Sequence, residues 1–287
     1  MILVTGSTGT IGSELITLLR ETKVPLRALV RSATKADALR ARGIDTAVGD
    51  FDEPASLDRA LDGVTRLFLL SAAHERQVEL QLNMIEAAKR AGIGYLVKVS
   101  VIGAGPDAPI KLGRDHGAIE RALRDTGIPF AALRPHSFMQ NMLGSAELLR
   151  TKGEFYGSTG DARIPLIDAR DVAAAAAVLL IHPSPESGAH VLTGPEAISN
   201  DEVASILTEV MGKPIRYVDL PGEHLKAGLL AAGMPQWLAN DLQTLEAMWA
   251  KGEGTGVSDA VPHITGRPAR SFRDFARDHA AEFRGGA

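Results

Sequence analysis

The sequence predicts a doubly wound parallel α/β sheet with a smaller, mostly helical C-terminal subdomain, and three observations predict it. Short apolar runs alternate with amphipathic helical patterns over the first two-thirds of the chain. Gly43, Gly63, Gly92 and Gly127 each stand just past a helical pattern, where a C-terminal cap needs positive φ. After residue 136 the alternation loosens. Short β-branched runs separated by helices mark right-handed βαβ units stacked into one sheet.

In chain order, strand MILVT is followed by a helix over 10–23, PLRALV by 34–42, DTAVGD by 54–62 and RLFLLS by 75–92. GYLVKVS then leads to a helix over 113–126, and PFAALRP closes the series. Residues 137–163 read as a helix and a glycine-rich hairpin or loop, 167–183 as a buried helix with Asp168 near its start, and 189–194 as one more strand. From 199 the pattern is helical: SNDEVASILTEVMGK opens on a Ser/Asn/Asp cap and closes on Gly212, and IRYVDL is a short strand. Residues 250–259 read as a mobile loop. The expected organisation is a nucleotide-binding core over 1–136, rejoined by 164–194, with 137–163 and 195–287 forming a substrate-binding cap.

Composition narrows the function. Apolar residues make up 45% of the 287, charged residues 23%, and the net charge of −4 offers no basic surface for nucleic acid. With no cysteine, disulfides, thiolate metal sites, iron–sulfur clusters and a cysteine nucleophile are excluded together. The eight histidines show no metal-ligand spacing, so no metal is expected. Residues 1–4 run directly into a strand, and no apolar stretch has membrane-spanning length, so a cytoplasmic location without a membrane partner is expected.

ILVTGSTGTIGSELI places Gly6, Gly9 and Gly12 between the first strand and the first helix. That spacing supplies a tight turn, a bare backbone for a pyrophosphate, and close packing of helix on sheet, while the helix N-terminus attracts the phosphates. Ser7, Thr8, Thr10 and Ile11 complete this cofactor loop of a Rossmann fold. An NAD site carries an acidic residue about 20 residues on; here stands Arg31, with Lys35 behind it. A guanidinium suits a 2′-phosphate, so NADP(H) is expected, with NAD(H) the weaker alternative. A solvated basic turn is the competing explanation. Asp50 and Phe51 end the third strand and Ser71 and Ala72 the fourth, at the carboxyl edge where a dinucleotide lies. Helix capping by Asp52 and plain strand termini are the other explanation.

TGxTGxxG, Arg31, GDFDEP, HGAIERAL, GIPFAALRPHSFMQNM and the late GRPARSFRDFARDH together resemble the NmrA-like, atypical branch of the short-chain dehydrogenase/reductase superfamily. The resemblance implies NADPH-dependent reduction of quinones, azo dyes or triphenylmethane dyes, or nucleotide sensing without turnover. Ordinary members of the superfamily use a Tyr-x-x-x-Lys pair. Here the residues four places after the three tyrosines are Val99, Gly160 and Pro221. By the resemblance, His116 holds the lysine position, Leu112 the tyrosine position, and Ser100 roughly that of the superfamily's serine. His116 is thus the candidate catalytic residue and is expected to position the cofactor, with proton donation and a structural role as alternatives.

Ketone reduction needs a delivered proton, typically a ~10²- to 10⁴-fold contribution. A quinone-like, dye-like or otherwise conjugated acceptor needs mainly an oriented hydride donor. Such a small aromatic partner would meet Pro135, Phe138 and Met139, the polar His136 and Asn141, and Trp237 in the cap; core packing explains several of these equally well. A monomer or homodimer is expected. The alternatives are an NADP(H)-sensing regulatory protein and a tailoring enzyme of a biosynthetic pathway.

Overall fold

The computed structural model describes residues 1–184 and 187–285. Its elements run β1 (Ile2–Val4), α1 (Thr10–Glu21), β2 (Leu26–Val30), α2 (Ala33–Arg40), β3 (Asp45–Val48), α3 (Pro54–Ala60), β4 (Arg66–Leu69), α4 (Gln77–Arg90), β5 (Tyr95–Val99), α5 (Lys111–Thr126) and β6 (Phe130–Pro135). After a 3-10 segment (Met139–Ser145) come α6 (Ala146–Lys152), β7 (Glu154–Gly157), β8 (Arg163–Ile164), α7 (Ala169–Ile181), β9 (Gly188–Leu192) and β10 (Ile198–Ser199). The chain continues with α8 (Asn200–Met211), β11 (Arg216–Asp219), α9 (Gly222–Ala231), α10 (Gln236–Ala250), α11 (Ala260–Thr265), α12 (Phe272–Asp278) and α13 (Ala280–Arg284).

Contacts divide the chain into two compact units. The first comprises 1–108, 113–134 and 170–191; the second comprises 109–112, 135–169 and 192–287. The expected return segment 164–194 is therefore split, with its two ends in the second unit.

The first unit is built on a seven-stranded sheet of order β3-β2-β1-β4-β5-β6-β9. The pairs β3–β2, β2–β1, β1–β4, β4–β5 and β5–β6 are parallel. A parallel sheet is covered on both faces, and β1 and β5 are accordingly buried along their whole length. Leu3, Leu67, Leu96, Ile119, Leu123 and Phe130 anchor the core cluster of this unit. Each fully buried side chain of this size contributes about 1.5–3 kcal/mol of transfer free energy. Gly43, Gly63, Gly92 and Gly127 have φ between +68° and +76°, as their capping positions require.

The second unit has its own core around Leu149, Phe155, Leu207, Phe272, Phe275 and Phe283. Helix α8 opens on a capping box between Ser199 and Glu202 and closes on Gly212 in the left-handed region. Within 137–163 the expected helix forms as α6, and of the hairpin and the loop expected after it the hairpin does not form. Instead β7 pairs in parallel with β11, and β8 pairs antiparallel with β10. A local turn signal was present, but both partner strands lie far downstream, where no local pattern points to them.

Candidate functional site

In the first unit, the glycine loop is held by backbone geometry and two hydroxyls. Gly6 has φ +60°, and a Cβ on Gly12 would fall 2.2 Å from the Gly6 carbonyl oxygen, so α1 can start this close to the turn only with glycine there. Ser7, a predicted cofactor contact, is buried and donates its hydroxyl to the Leu29 carbonyl at 2.7 Å, tying the loop to β2. Thr5, which the sequence reading missed, accepts from the Leu70 amide at 2.8 Å and ties the same loop to β4. Ile11 packs in the core, leaving Thr8, Gly9 and Thr10 exposed. Gly9 provides the N-cap of α1 without a side-chain cap, so the first helical N–H groups have no side-chain acceptor from the cap.

Arg31 follows β2, is exposed, and makes no ion pair or hydrogen bond with a described residue. Asp50 accepts the Asp52 amide at 3.1 Å, and the Phe51 carbonyl accepts from Asn83 at 2.9 Å, which orders the turn after β3. Asp52 does not cap α3. The N-cap is Glu53, and Asp52 pairs with Arg76 at 2.6 Å. The Ser71 hydroxyl accepts from Gln81 at 2.9 Å, while Ala72 beside it is exposed.

At the end of β5 lies a buried charge network. The Ser100 hydroxyl donates to Glu120 at 2.6 Å, so it is already committed to a protein partner. Glu120, 0% exposed, takes two hydrogen bonds from Arg134 at 3.0 and 2.6 Å. Burial alone would raise the Glu120 carboxyl; the bonds from Arg134 and Ser100 overcome it and hold the group below its ordinary value. Lys98, also 0% exposed, points its ammonium at His116 Nδ1, 2.6 Å away, and at the Val99 carbonyl, 3.2 Å away. Burial pulls Lys98 down to about 7, against the attraction of Glu120 and with the help of Arg134. His116 is 7% exposed and far below its ordinary pKa, first through burial and then through Lys98. An ammonium only donates, so Nδ1 accepts and Nε2 carries the ring hydrogen. Nε2 has no hydrogen-bond partner among the described residues.

In the second unit, α5 begins with the amides of Lys111 and Leu112 donating to Asp241 at 2.9 and 2.7 Å. The ring of Trp237 lies 5.4 Å from the Lys111 ammonium, a cation–π contact. Two predicted substrate contacts turn out differently. Met139 is 2% exposed and belongs to the core cluster with Leu149 and Phe155. His136 is 3% exposed with both ring nitrogens engaged: Nδ1 accepts the Ser137 amide at 2.7 Å, and Nε2 donates to the Gly254 carbonyl at 3.0 Å. Its ring stacks on Trp249 at 5.4 Å, and burial, opposed by the Gly254 bond, lowers it to about 4. The 250–259 loop is thus pinned at Gly254, and again where the Ser258 amide donates to Thr193 at 2.9 Å. Pro135 is buried, Phe138 half-buried, and Asn141 exposed with its amide 3.4 Å from the Ser137 hydroxyl.

The sequence profile of the NmrA-like family matches residues 1–264. The chain belongs to the NmrA-like family. It is 44% identical over 283 residues to an NAD(P)H azoreductase of Xenophilus azovorans, covering 99% of each chain. Among solved structures it is similar to an Escherichia coli NADPH-dependent quinone oxidoreductase complexed with NADPH (TM-score 0.87, 32% identity, covering 97% of this chain and 99% of that one). It is likewise similar to the Citrobacter sp. triphenylmethane reductase complexed with NADP(H) (TM-score 0.86, 28% identity, covering 98% of this chain and 100% of that one). Among the described residues no cluster suits a metal ion, and no helix is long and apolar enough to cross a membrane.

Proposed function

We propose that this oxidoreductase uses NADPH to reduce a quinone-like, dye-like or other conjugated acceptor without a Tyr-x-x-x-Lys pair. The observation that carries the reading is the pairing of a bare glycine loop with a guanidinium at Arg31 that has no partner among the described residues. The residues present fit NADP(H). Gly6, Gly9 and Gly12 leave the backbone and the α1 N-terminus open to the diphosphate, and Arg31 is free to pair with the 2′-phosphate. Asp50, Phe51, Ser71 and Ala72 are assigned to the adenosine side, and Ser100, His116, Pro135 and Phe138 to the nicotinamide side. When bound, the reduced nicotinamide supplies hydride.

No phenol is available at the superfamily's acid position. Tyr95 is buried in β5, Tyr156 donates to Glu154 at 2.7 Å, and Tyr217 donates to Asp219 at 2.7 Å. A conjugated acceptor, whose product anion is delocalised, makes a smaller demand on an acid than an isolated ketone does. Residues 137–163 and 195–287 are assigned to the substrate, with Phe138, Asn141 and Trp237 as contacts. A cytoplasmic monomer or homodimer acting on a small aromatic substrate belongs to the same proposal, which the azoreductase and quinone-reductase relatives support.

The test is oxidation of NADPH and NADH against quinones, azo dyes and triphenylmethane dyes. Wild type should turn over at least one class, and Arg31→Ala should weaken NADPH by roughly 10- to 100-fold while sparing NADH. Tight nucleotide binding with no turnover would favour the sensing alternative, and equal losses for both nucleotides would remove Arg31 from the site.

A further inference from the structure

Lys98 is the fourth of the five residues of β5, a parallel strand inside the sheet, where Tyr95, Leu96, Val97 and Val99 are buried with it. A lysine there has no solvent face, and a buried ammonium is costly unless its partners compensate. Its partners are unusual. The nearby carboxylate, Glu120, is committed to Arg134 and Ser100, with Arg124 a further 3.9 Å away, and the direct side-chain contact of Lys98 is the neutral ring of His116. Stability alone gives no reason for this choice, since an apolar side chain would fill the strand at lower cost. What the arrangement does supply is a proton source in contact with one nitrogen of a ring whose other nitrogen has no partner among the described residues.

We infer that Lys98 and His116 form a proton-delivery pair, with Lys98 as the reservoir and His116 as the relay, serving neutral acceptors that need a proton after hydride arrives. The inference rests on the reductase reading and narrows its substrate class to quinone or azo acceptors over cationic dyes. Hydride, which a bound reduced nicotinamide would supply, adds two electrons and one hydrogen and leaves a neutral acceptor as an anion. The Nε2–H bond of His116 breaks as an O–H or N–H bond forms on that anion, while an Nζ–H bond of Lys98 breaks and Nδ1–H forms. The reduced acceptor leaves neutral, His116 remains neutral in the opposite tautomer, and Lys98 becomes a neutral amine. Water then returns one proton through Nε2, and Nδ1 gives its proton back to Lys98. A lysine brought down to about 7 matches this task, because it holds a transferable proton at neutral pH. Among the described residues, the charged groups acting on Lys98 are Glu120, which favours the ammonium, and Arg134, which disfavours it, while His116 feels Lys98.

The decisive variant is Lys98→Met, compared on a neutral azo dye or quinone and on a triphenylmethane cation, which becomes neutral on taking hydride and needs no proton. The loss of kcat on the neutral acceptor should exceed the loss on the cation by roughly 10²-fold. In wild type, kcat on the neutral acceptor should fall as pH rises through about 7, where Lys98 loses its proton, and the variant should lack that limb. Equal losses on both acceptors, or an unchanged limb, would overturn the pair. A cofactor-free readout keeps the two proposals separable. Nitrogen NMR of the apoprotein should show the Lys98 ammonium titrating near 7, His116 protonated at Nε2, and the His116 pKa rising in Lys98→Met. A Lys98 titration in the ordinary lysine range would refute the pair, whereas failure of wild type to reduce any acceptor would refute the reductase reading and leave the NMR result to decide the pair.

Discussion

Two histidines are buried to nearly the same depth, His116 in the first unit and His136 in the second, and both are held neutral. They differ in how their nitrogens are spent. His136 has an acceptor and a donor role filled by backbone groups, and its ring lies on Trp249. His116 has one nitrogen against a cation and the other without a partner among the described residues. Burial and a depressed pKa therefore do not identify a functional histidine. The discriminating property is a ring nitrogen that no described residue binds, next to a group that can replace what it gives away.

That contrast can be broken most forcefully at Arg134. Arg134→Leu should leave Glu120 buried without its principal counter-ion and cost about 3–5 kcal/mol, read as a lowered denaturant midpoint. The same variant should raise the Lys98 titration, because Arg134 disfavours the ammonium. At His136 the expected effect is on stability. The folded state keeps the ring neutral down to about 4, whereas the unfolded chain takes a proton near the ordinary value of about 6.5. More protons are then bound by the unfolded chain in that window. Stability is complete above its upper end and falls by on the order of 3 kcal/mol as pH drops through it. His136→Ala should flatten this slope and cost about 2–4 kcal/mol at neutral pH through the lost stacking and the orphaned Gly254 carbonyl. An unchanged slope would mean that other groups govern acid unfolding. The smallest effect belongs to the exposed ion pair of Arg76 with Asp52. Arg76→Ala should leave the denaturant midpoint essentially unchanged, because solvent screens an exposed pair, and so give the baseline against which both buried sites are judged.

The first unit was legible wherever a local geometry demanded one residue type. Positive φ at Gly43, Gly63, Gly92 and Gly127 and the close approach of Gly12 to Gly6 are such demands, and each is visible as a glycine at a fixed offset. Lys98 was missed, although a signal existed. A lysine inside GYLVKVS, in a strand expected to be buried on both faces, is a buried charge by its pattern alone. The second unit was less legible because one chemistry serves two roles. Met139 and His136 suit a pocket wall and a core equally, and only the surrounding chain decides. The pairing of β7 with β11 was hidden for a related reason: Glu154 and Arg216 meet across a long sequence separation that no local pattern encodes.

The Asp241 cap on the first amides of α5 also has a meaning in time. Its carboxylate is 130 residues downstream of Lys111. At a synthesis rate of ~5–20 residues per second, roughly 7–26 s pass between the emergence of that helix start and of the group that satisfies it. Until then the opening turn of α5 has only water to cap it, so the helix bearing His116 reaches its final form late, after most of the chain has left the ribosome.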